Sequence, residues 1–291
     1  GLACPDWPLC YGTLYPAQQM NLQVFLEWVH RLDASLIGLS AIGLFGLSLW
    51  YRAQLPQWLP WASAAALGLI IVQGLLGAFT VTELLRFDIV TAHLGTALLF
   101  FSLLLVMGCC LLPGQSRRNP SPNMQPTDSA AALNLTDLQW SRWPLICGIN
   151  PVVNRLPLWS AIAAVLVYGQ SLLGGLVGSQ WSVHQCLAGS QLCTVLRSHL
   201  VGVVPPTLAV IWVASLVWRS PQVAARRAWA MALVTALLAQ MGLGVSTLYL
   251  HLQIEPLTIS HQAVGATLLG ILVCLTTVTV RDRRLRRVET P

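Results

Sequence analysis

Long unbroken apolar runs recur along the chain, separated by short polar stretches. Seven of them, about 22–50, 57–82, 88–112, 156–179, 195–218, 227–250 and 257–280, are long enough to cross a bilayer, which takes roughly 20 apolar residues. Barrel strands would read as alternating ten-residue segments instead, and that pattern is absent. The prediction is an all-α integral membrane protein. A repeat lies within it: QGLLGAFTVT (Gln73–Thr82) resembles QSLLGGLVGS (Gln170–Ser179) and, more loosely, QMGLGVST (Gln240–Thr247). Residues 195–280 follow the plan of 25–112, and span 156–179 precedes that second set. By analogy a further span is expected before Gly1, making two pseudo-symmetric four-helix bundles with eight spans. Between the halves, 113–155 contains PGQSRRNPSPNMQPTDS and has no periodicity, which reads as a flexible linker. The expected division is an N-terminal half-bundle (1–112), this linker (113–155) and a C-terminal four-helix bundle (156–291).

Composition supports this. The 291 residues are 55% hydrophobic and only 9% charged, whereas soluble domains carry about a quarter charged residues. Charge then orients the spans. Of sixteen arginines, thirteen fall in one set of alternating loops, and only Arg31, Arg86 and Arg197 lie in the other. The positive-inside rule makes the arginine-rich loops and the 113–155 linker cytoplasmic. The +6 formal charge therefore gives no reason to invoke nucleic acid, because its arginines flank spans. Cys4 and Cys10 share one outer loop, and Cys186 and Cys193 another. In an oxidising compartment each pair can form a disulfide; a metal site of Cys4, Cys10 and His184 is the rival. Cys109, Cys110, Cys147 and Cys274 read as reduced thiols without a catalytic role.

The candidate chemistry lies in four histidines. His30 and His93 are 63 residues apart, and His199 and His261 are 62 apart. Each stands near the start of a span running from outside to inside. Within two turns, at 1.5 Å per residue, all four sit at one depth near the outer face. In a four-helix bundle the first and third spans of a set can face each other across the core. Two neutral imidazoles could then approach one heme iron from opposite faces. The bland alternative, a polar group bonded to a neighbouring helix, suits a single histidine better than four in duplicated register. His184 and His251 break that register and read as surface residues. Arg31, Arg86 and Arg197 are candidates for binding heme propionates, with snorkelling to lipid headgroups the alternative. Glycines on the middle helices fit close packing or room for a flat macrocycle. The halves differ at one place: Glu27 lies one turn before His30, where the second half has Leu196. An ionisable group so near the bilayer core suggests function; an ion pair with Arg31 is the competing explanation.

These residues resemble the heme A synthase family. The resemblance rests on Cys4-Pro-Asp-Trp-Pro-Leu-Cys10, Glu27-Trp-Val-His30-Arg31, Ala92-His93-Leu94-Gly95, Ser198-His199-Leu200-Val201-Gly202 and Ser260-His261-Gln262-Ala263-Val264-Gly265. It covers nearly all of the chain except 113–155, and the expected first span is the main departure. It implies an oxidoreductase that converts the C8 methyl of heme O to the formyl of heme A, for terminal oxidases, in the bacterial inner membrane. It also implies that His199 and His261 bind a heme b cofactor, that His30 and His93 hold the substrate heme, and that Glu27 is essential beside the reacting methyl. Cys4–Cys10 would be a disulfide, and Cys186–Cys193 a structural one. Heme O synthase, an electron donor or acceptor, the lipid bilayer and a second copy of the chain are the implied partners. A di-heme cytochrome b-like electron carrier is the competing class; it explains the histidines but not Glu27 on one side only.

Overall fold

The computed structural model describes residues 2–112, 155–178, 192–220, 223, 225–250 and 254–288. The linker expected over 113–155 therefore lies almost wholly outside the described residues, as do His184, His251, Cys147 and Cys186.

Among the described residues, eight α-helices follow a short 3-10 turn at Ala17–Gln19. They are α1 (Leu22–Trp50), α2 (Leu59–Thr82), α3 (Phe87–Leu111), α4 (Leu156–Gly178), α5 (Leu192–Gly202), α6 (Val204–Arg219), α7 (Arg226–Tyr249) and α8 (Glu255–Val288). With α5 and α6 taken as one span, seven helices are long and apolar enough to cross a membrane. The protein is a helical, multi-pass integral membrane protein. Leu39, Ile42, Val165, Leu238 and Val245 are exposed on these helices; lipid tails, unlike water, impose no cost on such side chains.

Two element boundaries depart from the sequence expectation. The span expected over 195–218 is broken at Val203, with Pro205 and Pro206 in the first turn of α6. Neither proline can donate to the carbonyl four residues back, so the helix restarts there. The last helix runs past 280 to Val288. Its arginine-rich end leaves the apolar layer and contributes a contact: Arg281 Nη1 donates to the Cys109 and Leu112 carbonyls, 2.8 Å each. These carbonyls at the end of α3 have no intrahelical donor.

In the second half, α4 packs on α8 and α6, and α7 packs on the same two helices. The four form a closed ring with α5–α6 and α8 on one diagonal and α4 and α7 on the other. The main core belongs to this ring and includes Val213, Val217, Leu233, Leu272 and Leu275. Thr276 donates to Ser160 at 2.9 Å within it. In the first half, α2 packs against both α1 and α3, and α3 docks on α4 and α8. Small residues allow that docking. A Cβ on Gly95 would lie 2.9 Å from Leu172, one on Gly175 2.9 Å from Leu94, and one on Gly270 3.0 Å from Phe101.

Candidate functional site

The outer end of α1 carries the N-terminal loop. Cys4 and Cys10 are joined as a disulfide, and both are buried. Asp6 accepts from the Tyr11 and Gly12 N–H groups at 2.7 Å each, in a turn where both residues have positive φ. The hydrogen bond from Gly12 leads in holding the Asp6 carboxyl below its ordinary pKa. Glu27 and Arg31 fasten this loop to the helix. Arg31 donates to the carbonyls of Asp6 (2.6 Å), Leu9 (2.5 Å) and Cys4 (3.3 Å), and pairs with Glu27 Oε1 at 2.8 Å. The other Glu27 oxygen accepts from the Ala3 N–H at 2.9 Å. The Glu27–Arg31 pair raised by the sequence is thus formed, and both terminal nitrogens of Arg31 bond to the loop. Arg86 forms a two-point pair with Asp88 at 2.9 and 2.7 Å, which raises its guanidinium above the usual value. Arg197 is exposed on α5.

Three of the four histidines share one kind of seat. His93 on α3 lies against α2, where a Cβ on Gly77 would stand 3.2 Å from the ring. His199 on α5 lies against α4, with a Gly174 Cβ at 3.1 Å, and His261 on α8 against α7, with a Gly244 Cβ at 2.9 Å. Only glycine leaves this room. Four residues before each glycine, on the same face of the helix, stands a glutamine whose Nε2 reaches the imidazole: Gln73 to His93 (3.4 Å), Gln170 to His199 (3.0 Å) and Gln240 to His261 (3.3 Å). The sequence reading did not single out these glutamines. The signal that finds them is Gln-x3-Gly, three times, each followed by a histidine on the next span. His30 is exposed on α1, and no glycine faces its ring among the described residues.

The histidines also pair within each half of the fold. His30 and His93 are electrostatic neighbours, as are His199 and His261. In the closed ring His199 and His261 come from the two diagonal helices, with their glutamine–glycine seats on the other diagonal. Between them lies a cavity of about 330 Å³ lined by Gln170, Gly174, His199, Gln240, Gly244 and His261, and by Leu94 and Leu98 of α3. Gly202 and Gly265, one turn after the histidines, receive the glutamines: a Cβ there would stand 2.7 Å from Gln170 Oε1 and 3.2 Å from Gln240 Nε2. Gly95, after His93, instead packs against Tyr168 and Leu172 of α4. Cys193 begins the second ligand span, but its side chain and its expected bond to Cys186 lie outside the described residues.

Known proteins resemble this chain. The chain is 25% identical over 330 aligned positions to the heme A synthase of Shewanella oneidensis, covering 94% of this chain and 87% of that protein. It is 30% identical to the heme A synthase of Rhodospirillum centenum, covering 86% of this chain and 66% of that protein. A shorter stretch, 41% of this chain, is 31% identical to part of the protoheme IX farnesyltransferase of Halobacterium salinarum, covering 26% of it. The family model described as cytochrome oxidase assembly protein matches residues 1–273, so the chain belongs to the COX15-CtaA family.

Proposed function

We propose that this protein is a heme A synthase, an oxidoreductase of the bacterial inner membrane that converts the C8 methyl of heme O to a formyl group. The observation that carries the reading is the pair of histidines on diagonal helices, each in a glycine seat, around a cavity in the membrane-spanning ring. The residues fit a heme. His93 Nδ1 and His261 Nδ1 are buried without a partner, and neutral imidazole nitrogens are the usual protein ligands of heme iron. The glycine seats leave space where any side chain would intrude, and the cavity walls are mostly apolar, as a macrocycle requires. The relatives' name, heme A synthase, supports the same substrate.

On this reading His199 and His261 hold a heme b cofactor, and His30 and His93 hold the substrate heme. Bound heme supplies the redox chemistry that no side chain provides. The chain's own residues hold, orient and shield. The histidines would hold both rings, and Leu94 and Leu98 of α3 line the second site. Glu27 stands one turn before His30, half-buried in its pair with Arg31. It is the acid–base group of the first site, able to take up a proton or balance positive charge beside the reacting methyl. The disulfide loop pinned by Arg31 covers that site. The bilayer bounds the apolar tail of heme O. The likeness to a protoheme IX farnesyltransferase supports heme O synthase as the supplier, with electrons passing to a separate redox partner.

The test is extraction and mass analysis of the porphyrins bound to purified protein, wild type and variants. Heme b together with heme O, heme A or an intermediate is expected. Heme b alone would make the protein an electron carrier. His199→Ala and His261→Ala should each remove the low-spin heme b signal; a full signal in both variants refutes the cofactor site.

A further inference from the structure

We propose that Gln73, Gln170 and Gln240 are positioning residues for three of the four histidines, each using its carboxamide to set the orientation of the ring that meets iron. This rests on the heme reading above. A neutral imidazole carries one N–H and one lone pair. If the nitrogen facing the protein holds the proton and donates it, the other keeps its lone pair for a metal. Partners of this kind fix the tautomer and increase the basicity of the ligand.

The structure places a glutamine against three of the rings in one register, and at two of them its oxygen is free to accept from the ring. Gln73 and Gln240 each approach a ring nitrogen at 3.4 and 3.3 Å. In both, the glutamine Oε1 is buried without a partner, and so is the second ring nitrogen, Nδ1. A half-turn of the carboxamide brings Oε1 to the ring N–H and completes one bond, leaving Nδ1 as the free lone pair. Gln170 is tied differently. Its Nε2 donates to the His199 main-chain carbonyl at 2.7 Å and lies 3.0 Å from Nδ1. It therefore couples the ring to the backbone of its own helix, one turn before the break at Val203. In the second half the seats are reciprocal. The glycine of the seat helix receives the imidazole, and the glycine after the histidine receives the glutamine. Ring and carboxamide thus hold each other in place.

The midpoint potential of heme b in the full holoprotein tests this. Gln240→Leu removes the acceptor, makes His261 a weaker donor to ferric iron, and should raise the potential. Gln240→Glu supplies a stronger acceptor and should lower it. Gln262→Glu places the same charge on the cavity wall without touching a ring nitrogen, and should lower it less. Opposite shifts for Leu and Glu, with Gln240→Glu exceeding Gln262→Glu, support the proposal. Unmoved potentials, shifts of one sign, or equal effects of the two glutamates overturn it. If Gln240→Leu fails to retain heme, the two glutamate variants still decide. His261→Ala separates this claim from its parent: loss of heme b there with unmoved potentials in the glutamine variants sinks the positioning role alone, whereas retention of heme b in His261→Ala sinks the heme site itself.

Discussion

Gly244 faces an imidazole at a distance that excludes a methyl group, Gly77 and Gly174 face theirs at tight contact, and Gly242, on the same helix as Gly244, has open space. The pair Gly244→Ala and Gly242→Ala therefore separates seat from helix. The first should push His261 off its position, costing about 1–3 kcal/mol, and should lower heme retention. The second should leave retention unchanged and favour the helix by up to about 1 kcal/mol. Heme-to-protein ratios after detergent washing check both. At Glu27, substitution by Gln keeps the size and an acceptor for the Ala3 N–H but removes the charge. Glu27→Gln should keep heme b and accumulate heme O, read by porphyrin mass. Loss of heme b along with activity would instead assign Glu27 a structural role through Arg31. Asp6 makes the loop pH-sensitive, chiefly through its bond from Gly12. Because its folded-state pKa is depressed, its contribution is complete above the ordinary aspartate value of about 4 and is lost as pH falls through the folded value. Exchange of the Gly12 amide, corrected for intrinsic rates, should accelerate over that acid range, and Asp6→Asn should flatten the dependence.

Among the elements, α3 and α8 are joined by a contact that periodicity does not reveal. Arg281 caps two carbonyls at the end of α3 and sits only 11% exposed beside Asp282. Hydrogen bonds from a charged donor contribute about 1.5–3 kcal/mol each. Arg281→Met should loosen the end of α3 and expose the buried Cys109 thiol, seen as faster maleimide labelling in detergent; an unchanged rate would mean that packing alone holds the two helices. The break at Val203 also belongs to this scale. It places His199 on a short helix of its own, Leu192–Gly202, whose fit against α4 depends on Gln170 holding its last turn.

At the scale of the molecule, the halves are unequal. The second is a closed ring around its cavity, while among the described residues of the first, α2 packs between α1 and α3, and α3 docks on the ring. Even so, the sites are adjacent. Leu94, next to His93, touches Gly175, next to the His199 seat at Gly174. The arginine distribution predicts that both proposed sites lie toward the outer face and 113–155 inside. An impermeant thiol reagent applied to intact cells should therefore miss a cysteine placed at Ser121 and react only after the membrane is opened. Labelling from outside would invert the topology.

Seven spans, their limits within about two residues for most, and the duplicated histidine register are determined by the sequence itself. Apolar length sets a membrane crossing whatever surrounds it, and equal spacing along equally directed spans sets equal depth. The Cys4–Cys10 bond was legible as one of two options because both residues share a short outer loop. The break at Val203 was written in Pro205-Pro206, yet apolar continuity masks it. Other features needed the tertiary structure. Periodicity puts Gln73 and Gly77 on one helical face, but packing alone decides that this face meets His93. That Arg31 Nη1 and Nη2 bind the Cys4, Asp6 and Leu9 carbonyls is decided only when the loop folds back over α1, because a guanidinium binds whichever carbonyls the fold brings to it. The diagonal placement of His199 and His261 likewise depends on which helices neighbour which, and that is decided by small residues at contacts formed only when the bundle closes.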